Sequence, residues 1–215
     1  MASKKNSTPA KQTRNPERTR MRLLQAATRL FSHKGYDGVS VDDIVALARV
    51  NKRMVYHYYG SKDGLYCEVL RSVFQRLTEM ELEVAGASDS PEETITGILR
   101  SYFIFLNDYP EFTALLAWEN LHQGRFIAKH PDLLSKNPII QQLERTVKKG
   151  ISDGLFHPGI HVKHLLINLI SVCIVYHANR YTLSQSIGID LQSPKVQEEG
   201  LAHAIDLVLH GLKRR

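Results

Sequence analysis

Residues 40–66 read SVDDIVALARVNKRMVYHYYGSKDGLY. Ser40-Val41-Asp42-Asp43 is a Ser-x-x-Asp capping box, a pattern that opens a helix by satisfying its first free N–H groups. Ile44, Leu47 and Ala48 then give a short helix its buried side. Arg49-Val50 makes a tight corner, and Asn51 caps a second short helix from Lys52 to about Tyr58. Gly60-Ser61 breaks that helix, and a long one runs from Lys62 to about Val84. Short helix, tight turn, short helix is the helix-turn-helix arrangement. Its second half mixes Lys52, Arg53 and Lys62 with Tyr56, His57, Tyr58 and Tyr59, a composition suited to a surface that meets something negatively charged.

Upstream, Leu23, Ala27, Leu30 and Phe31 mark one face of a helix that starts near Pro16 and ends at Gly35. Arg18, Arg22 and Arg29 lie elsewhere on its surface. Residues 1–14 are rich in Lys, Ser, Thr and Gln and read as a disordered arm. Charge follows this division. Residues 1–62 hold 13 Lys or Arg against 4 Asp or Glu, a net +9, and residues 63–215 hold 15 against 18, a net −3. Only part of the excess lies in the arm. The split fits a small unit facing a polyanion, joined to a larger unit that does not.

The chain has 215 residues, 43% of them apolar, enough for two such units. Cys67 and Cys173 sit far apart in apolar helical patterns and read as small buried hydrophobes, not a disulfide or a zinc pair. No apolar run reaches the ~20 residues of a membrane span. The start, MASKKNSTPAKQTR, lacks the apolar stretch of a secretory signal, so a cytoplasmic location is expected.

The remainder also reads as helix. Ser90-Pro91-Glu92-Glu93 is a capping box with proline at the first helical position, opening a helix to about Leu106. Further helices start at Asp108-Tyr109-Pro110, running to about Gln123, and at Asn137-Pro138, ending at Asp153-Gly154. After the loop LFHPGI, one long helix is expected from about His161 to Ser186, and Ser193-Pro194 opens the last, to about Leu212. The fold class is therefore all-α: an arm over 1–14, a three-helix helix-turn-helix unit over 15–62, and a larger helical bundle over 63–215. The stretch LLINLISVCIVYHA, residues 165–178, is apolar on nearly every side, and Leu201, Ala204, Ile205, Val208, Leu209 and Leu212 make a wide stripe. Together these two helices expose more apolar surface than a solvated monomer normally carries. A homodimer through the last two helices is expected.

Within residues 23–70, Ala26-Ala27, Leu30-Phe31, Gly35-Tyr36, Ser40, Tyr56, Tyr59, Lys62 and Leu65 keep a recurring spacing. On these residues the chain resembles the TetR family of one-component bacterial transcriptional regulators. The later helices fit that family's layout, and the C-terminal half is most similar to the branch that includes regulators of pyrimidine and nicotinate catabolism. Two places depart from the family pattern. Arg49 stands where glycine is usual in the turn, and Arg53-Met54 stands where many members carry Gly-Thr. A left-handed Arg49 costs about 1 kcal/mol.

The resemblance implies a DNA-binding repressor, released from a palindromic operator by a small organic effector. Control by a protein partner is the alternative. On the DNA side, Lys52 and Arg53 stand at the start of the recognition helix, where side chains reach base edges, and His57 follows one turn on. Tyr56 meets phosphate through its hydroxyl, Lys62 and Ser40 meet phosphate at helix starts, and Asn51 lies at the same edge. Val55 and Tyr59 read as core. Two readings of the arm stand, a DNA contact or a solvated tail.

On the effector side the candidates are Phe74, Tyr102, Phe105, Trp118, Asn120, His122, Asn168, His177 and Arg180, a set suited to an aromatic or heterocyclic acid. For each residue alone, a packed core with satisfied polar groups competes. His157, His161 and His164 are spaced i, i+4, i+7, but Pro158-Gly159 interrupts them, so loop histidines are expected rather than a metal site. No cofactor is expected. The sequence has no Gly-rich phosphate loop, HExxH or nucleophile elbow, so no enzyme is expected either.

Overall fold

Ser40 opens the helix-turn-helix as its sequence predicts. Its side chain accepts from the Asp43 N–H at 3.1 Å, and its own N–H donates to the Asp43 carboxylate at 2.9 Å. In this computed structural model, which describes residues 16–85, 88–134 and 137–214, the capped helix is α2 (Val41–Ala48), preceded by α1 (Pro16–Lys34). The arm expected at residues 1–14 lies outside the described residues. Asn51 Oδ1 accepts from the Arg53 N–H at 2.9 Å, the capping role foreseen for it, and α3 (Arg53–Tyr59) follows. Arg49, between the two, is left-handed with φ 54 and ψ 49. One expectation fails here. Ile44 and Ala48 are buried, but Leu47 is 44% exposed. The face of α2 that meets α1 runs through Val41, Ile44, Val45 and Ala48, and Leu47 points past it.

The chain then enters α4 (Lys62–Ala85), about 36 Å of helix. The bundle comprises α5 (Pro91–Asp108), α6 (Pro110–Leu121), α7 (Asn137–Ser152), α8 (Val162–Ala178), α9 (Arg180–Ile187) and α10 (Pro194–Leu212). Proline opens α5, α6 and α10 at the first turn, where its missing N–H has no partner to lose. Two 3-10 turns, Ile127–Lys129 and Pro131–Leu134, lie between α6 and α7. Helix α5 packs against α4, α8, α7 and α10, and α1 packs on α2, α4 and α6. One continuous apolar core results, from Leu23 and Phe31 through Leu70 to Leu99, Leu115 and Leu169.

The long helix expected over 161–186 is two helices. Helices α8 and α9 meet at Asn179 at an angle of 79°. Asn179 has φ −104 and ψ 8, outside the helical well, and its carbonyl accepts from Thr182 and Leu183 to start α9 in its new direction. Asparagine is a weak helix former because its amide competes for backbone partners. Among the described residues no single helix is long and apolar enough to cross a membrane, and the only bridge of strand type is the isolated pair Phe156–Lys213.

Candidate nucleic-acid interface and the joint behind it

Val55 is fully buried and anchors α3, while Met54 packs partly inward. That rotation leaves Arg53, Tyr56 and His57 on the outer side, with Tyr56 51% exposed. Tyr59 is half-buried, and its hydroxyl donates to the Arg20 carbonyl at 3.0 Å, tying α3 to α1. Lys52 is exposed and pairs with Asp42 at 2.9 Å. Such a surface pair is worth ~0–1 kcal/mol, so a phosphate can displace it at little cost. Lys62 is half-buried, its ammonium 4.0 Å above the Tyr36 ring. Tyr36 in turn donates to the Asp63 carboxylate; burial first, and that bond second, push its pKa up to about 12.

Lys52, Arg53, Tyr56, His57 and Lys62 thus share one end of the molecule with Asn51. Ser40 stands apart. Its hydroxyl donates to Asp43 at 2.6 Å and its N–H is also taken, so both donors serve the cap and neither is left for phosphate. The sequence assigned Tyr36 no role, although the Gly35-Tyr36 pair of the family pattern marked the position.

Behind this end lies a joint. Gly35 has φ +68, and a β-carbon there would stand 2.8 Å from the Trp118 ring. The Trp118 indole donates to the Ser32 carbonyl at 3.2 Å. Deeper, Tyr66 of α4 packs edge-on against Phe31 and Phe126 and donates to Glu119 at 3.0 Å. The second Glu119 oxygen accepts from the N–H groups of Phe126 and Ile127 at 3.2 and 3.3 Å. Glu119 is therefore a buried strut with its oxygens engaged, and burial beside it drives the Tyr66 hydroxyl far above its ordinary pKa.

The nine residues expected around an effector do not converge. Phe74 and Phe105 each pack edge-on against Phe112 in the core, and Tyr102 donates to buried Glu81. Trp118 belongs to the joint. Asn120 donates to its own helix at Leu116, and exposed His122 lies 3.7 Å from Asp37. Asn168 is exposed on α8, facing a groove shared with α10. His177 and Arg180 form the remaining pair. His177 is 5% exposed, neither of its ring nitrogens has a partner, and burial, aided by the Arg180 charge, lowers its pKa to about 4. The sequence marked these positions as polar among apolar, a signal that does not say which partner each one meets. His161 and His164 approach each other with ring centroids 4.7 Å apart, and among the described residues no group of three or more His, Cys, Asp or Glu could hold a metal ion.

Residues 23–69 match the family model of bacterial regulatory proteins of the tetR family, and residues 91–208 match the tetracyclin repressor-like C-terminal domain. The chain belongs to the TetR family. It is 32% identical to the HTH-type transcriptional repressor NicS of Pseudomonas putida over 215 residues, all of both chains. A transcriptional repressor of Streptomyces coelicolor is 29% identical over 74% of this chain and 78% of its own. Two solved structures share the fold: the ketosteroid transcriptional regulator of Mycobacterium tuberculosis, with TM-score 0.67 and 19% identity over 95% of this chain and 98% of that one, and FadR from Bacillus subtilis in complex with stearoyl-CoA, with TM-score 0.69 and 17% identity over 90% and 99%. As a TetR-family chain it is a helix-turn-helix, DNA-binding regulator of transcription.

Proposed function

We propose that this protein is a repressor that grips a palindromic operator as a homodimer and leaves it when a small organic effector binds. The observation that carries the DNA half is α3 itself: Val55 holds the helix down, while Arg53, Tyr56 and His57 face outward. Arg53 reads a guanine through its fork of donors, a contact worth about 1–3 kcal/mol of discrimination. His57 faces the same groove. Tyr56, Lys52 and Lys62 hold phosphate, with Lys62 pre-aimed by the Tyr36 ring. Asn51 fixes the start of the helix, and Ser40 acts as a cap rather than a contact.

The dimer half rests on α8 and α10. Ile167 is 57%, Val175 40% and Leu207 68% exposed on one subunit, on helices whose opposite sides are core. Pairing these faces in a two-fold dimer covers them and sets two α3 helices toward half-sites about one DNA turn apart. For release, a ligand that prefers one spacing of the two helices shifts the population toward it. The unpartnered nitrogens of His177 and Arg180 support a ligand-responsive interior. Control by a partner protein remains the second reading, favoured if no small molecule raises the melting temperature.

Selection of bound fragments from random DNA, followed by gel shift, tests the reading. Wild-type protein should enrich a palindrome. Arg53→Ala should relax preference at one position of each half-site, and Lys62→Ala should weaken all sites alike, lowering the salt slope by about one. Enrichment of no palindrome, or two variants that bind like wild type, would refute it.

A further inference from the structure

A crevice of about 740 Å³ opens between α1, α4 and α6, with Arg180 of α9 at its edge. That volume lies in the range of small-molecule sites, roughly 300–1,000 Å³. Its hydroxyls are already spent. Thr28 donates to the Leu24 carbonyl at 2.9 Å, Ser32 to Arg29 at 3.0 Å and Ser72 to Val69 at 3.0 Å. Recognition therefore falls to charge. Arg29, Arg76 and Arg180 line the crevice against one carboxylate, Glu111, which stands 3.8 Å from Arg76. The Arg180 Nη2 donates to the Tyr181 hydroxyl at 3.2 Å, but its Nε is buried and has no partner. A desolvated, unmatched guanidinium N–H is costly and calls for an explanation. Leu24, Val73 and Ala114 supply apolar wall beside these groups.

We infer that this crevice binds a small amphipathic oxyanion, a carboxylate or phosphate on an apolar body, and that the occupant clamps the DNA-binding unit to the bundle. A guanidinium fork matches either headgroup with two parallel hydrogen bonds. Arg29 belongs to α1, whereas Arg76 and Arg180 belong to the bundle, so one anion held by both sides bridges the two units. Differential grip on one relative placement of the units is what couples a ligand to operator affinity. The clamp rests on the ligand-responsive reading proposed above; the binding site does not.

The test is calorimetry on the full-length protein without DNA, titrating octanoate, octyl phosphate and, as the neutral control, octanamide. At least one anion should bind saturably and octanamide should not; the tighter of the two anions names the headgroup. Arg180→Gln and Ala114→Trp should each weaken binding at least tenfold with the melting temperature little changed, and Arg180→Lys should restore part of it. Saturating anion should then change operator affinity at least fivefold in gel shift, and not in Arg180→Gln. The site is overturned if neither anion binds, if octanamide binds as well, or if binding survives both variants; an unchanged operator affinity at saturation overturns the clamp. Failure to find any operator would defeat the regulator reading while leaving the calorimetric result in force.

Discussion

At the scale of single residues, Arg49 holds the helix-turn-helix corner at φ 54, where a β-carbon crowds the backbone. Its N–H still serves the corner, reaching Ala46 at 3.2 Å, and glycine keeps that bond. Arg49→Gly should therefore raise stability only slightly, by at most about 0.6 kcal/mol, once the greater freedom of glycine in the unfolded chain is set against the relief; urea unfolding measures it, and a loss would show that the arginine side chain contributes something the corner needs. His177 makes a pH-dependent contribution. Its folded pKa of about 4 lies below the ordinary 6.5, so as pH falls the unfolded chain takes up the proton first. This stability is complete above pH 6.5 and is lost as pH falls toward 4, up to about 3 kcal/mol in all. Unfolding midpoints across that range should show the slope, and His177→Leu should remove it.

At the scale of elements, the end of α1 and the last turn of α6 are joined through Gly35 and Trp118. Gly35→Ala meets two penalties, a left-handed alanine and an overpacked ring, about 2–4 kcal/mol together. In a Trp118→Ala background only the backbone part, about 1 kcal/mol, should remain, and a double-mutant cycle by chemical denaturation reads the difference. The elements themselves were largely legible. Ser40, Ser90, Pro110 and Pro194 signal helix starts through chemistry confined to one turn, and each opens a helix where the sequence places it. The 79° turn at Asn179 was not, because the apolar pattern runs through it and one asparagine does not state an angle. Leu47 misled because an eight-residue helix is too short to fix the direction of its buried face. The joint was illegible for a different reason. Trp118 and Ser32 are 86 residues apart, and an aromatic among aliphatics looks the same whether it lines a pocket or locks two helices.

At the scale of the whole molecule, the basic first 62 residues and the uncovered apolar faces of α8 and α10 ask for different partners. Leu207, 68% exposed, belongs to the second demand. Leu207→Arg should leave the subunit's own packing intact, yield monomers by light scattering, and weaken operator binding strongly, because one half-site contact alone lacks the second recognition helix. A dimer that persists in this variant would place the interface elsewhere. The candidate site divided in the same way. The residues expected at its DNA end lie within one short segment and so stay together in the fold, whereas the effector candidates, drawn from five helices, depend on contacts that only the folded chain decides.

The chain contains one tryptophan, and it is the residue seated over Gly35. Its emission therefore arises entirely from the place where the two units meet. Wavelength, quenching by iodide and anisotropy decay all become reports on that seam, with no label and no second fluorophore of its kind to subtract. Any ligand or operator that shifts one unit against the other has an intrinsic optical readout already in position.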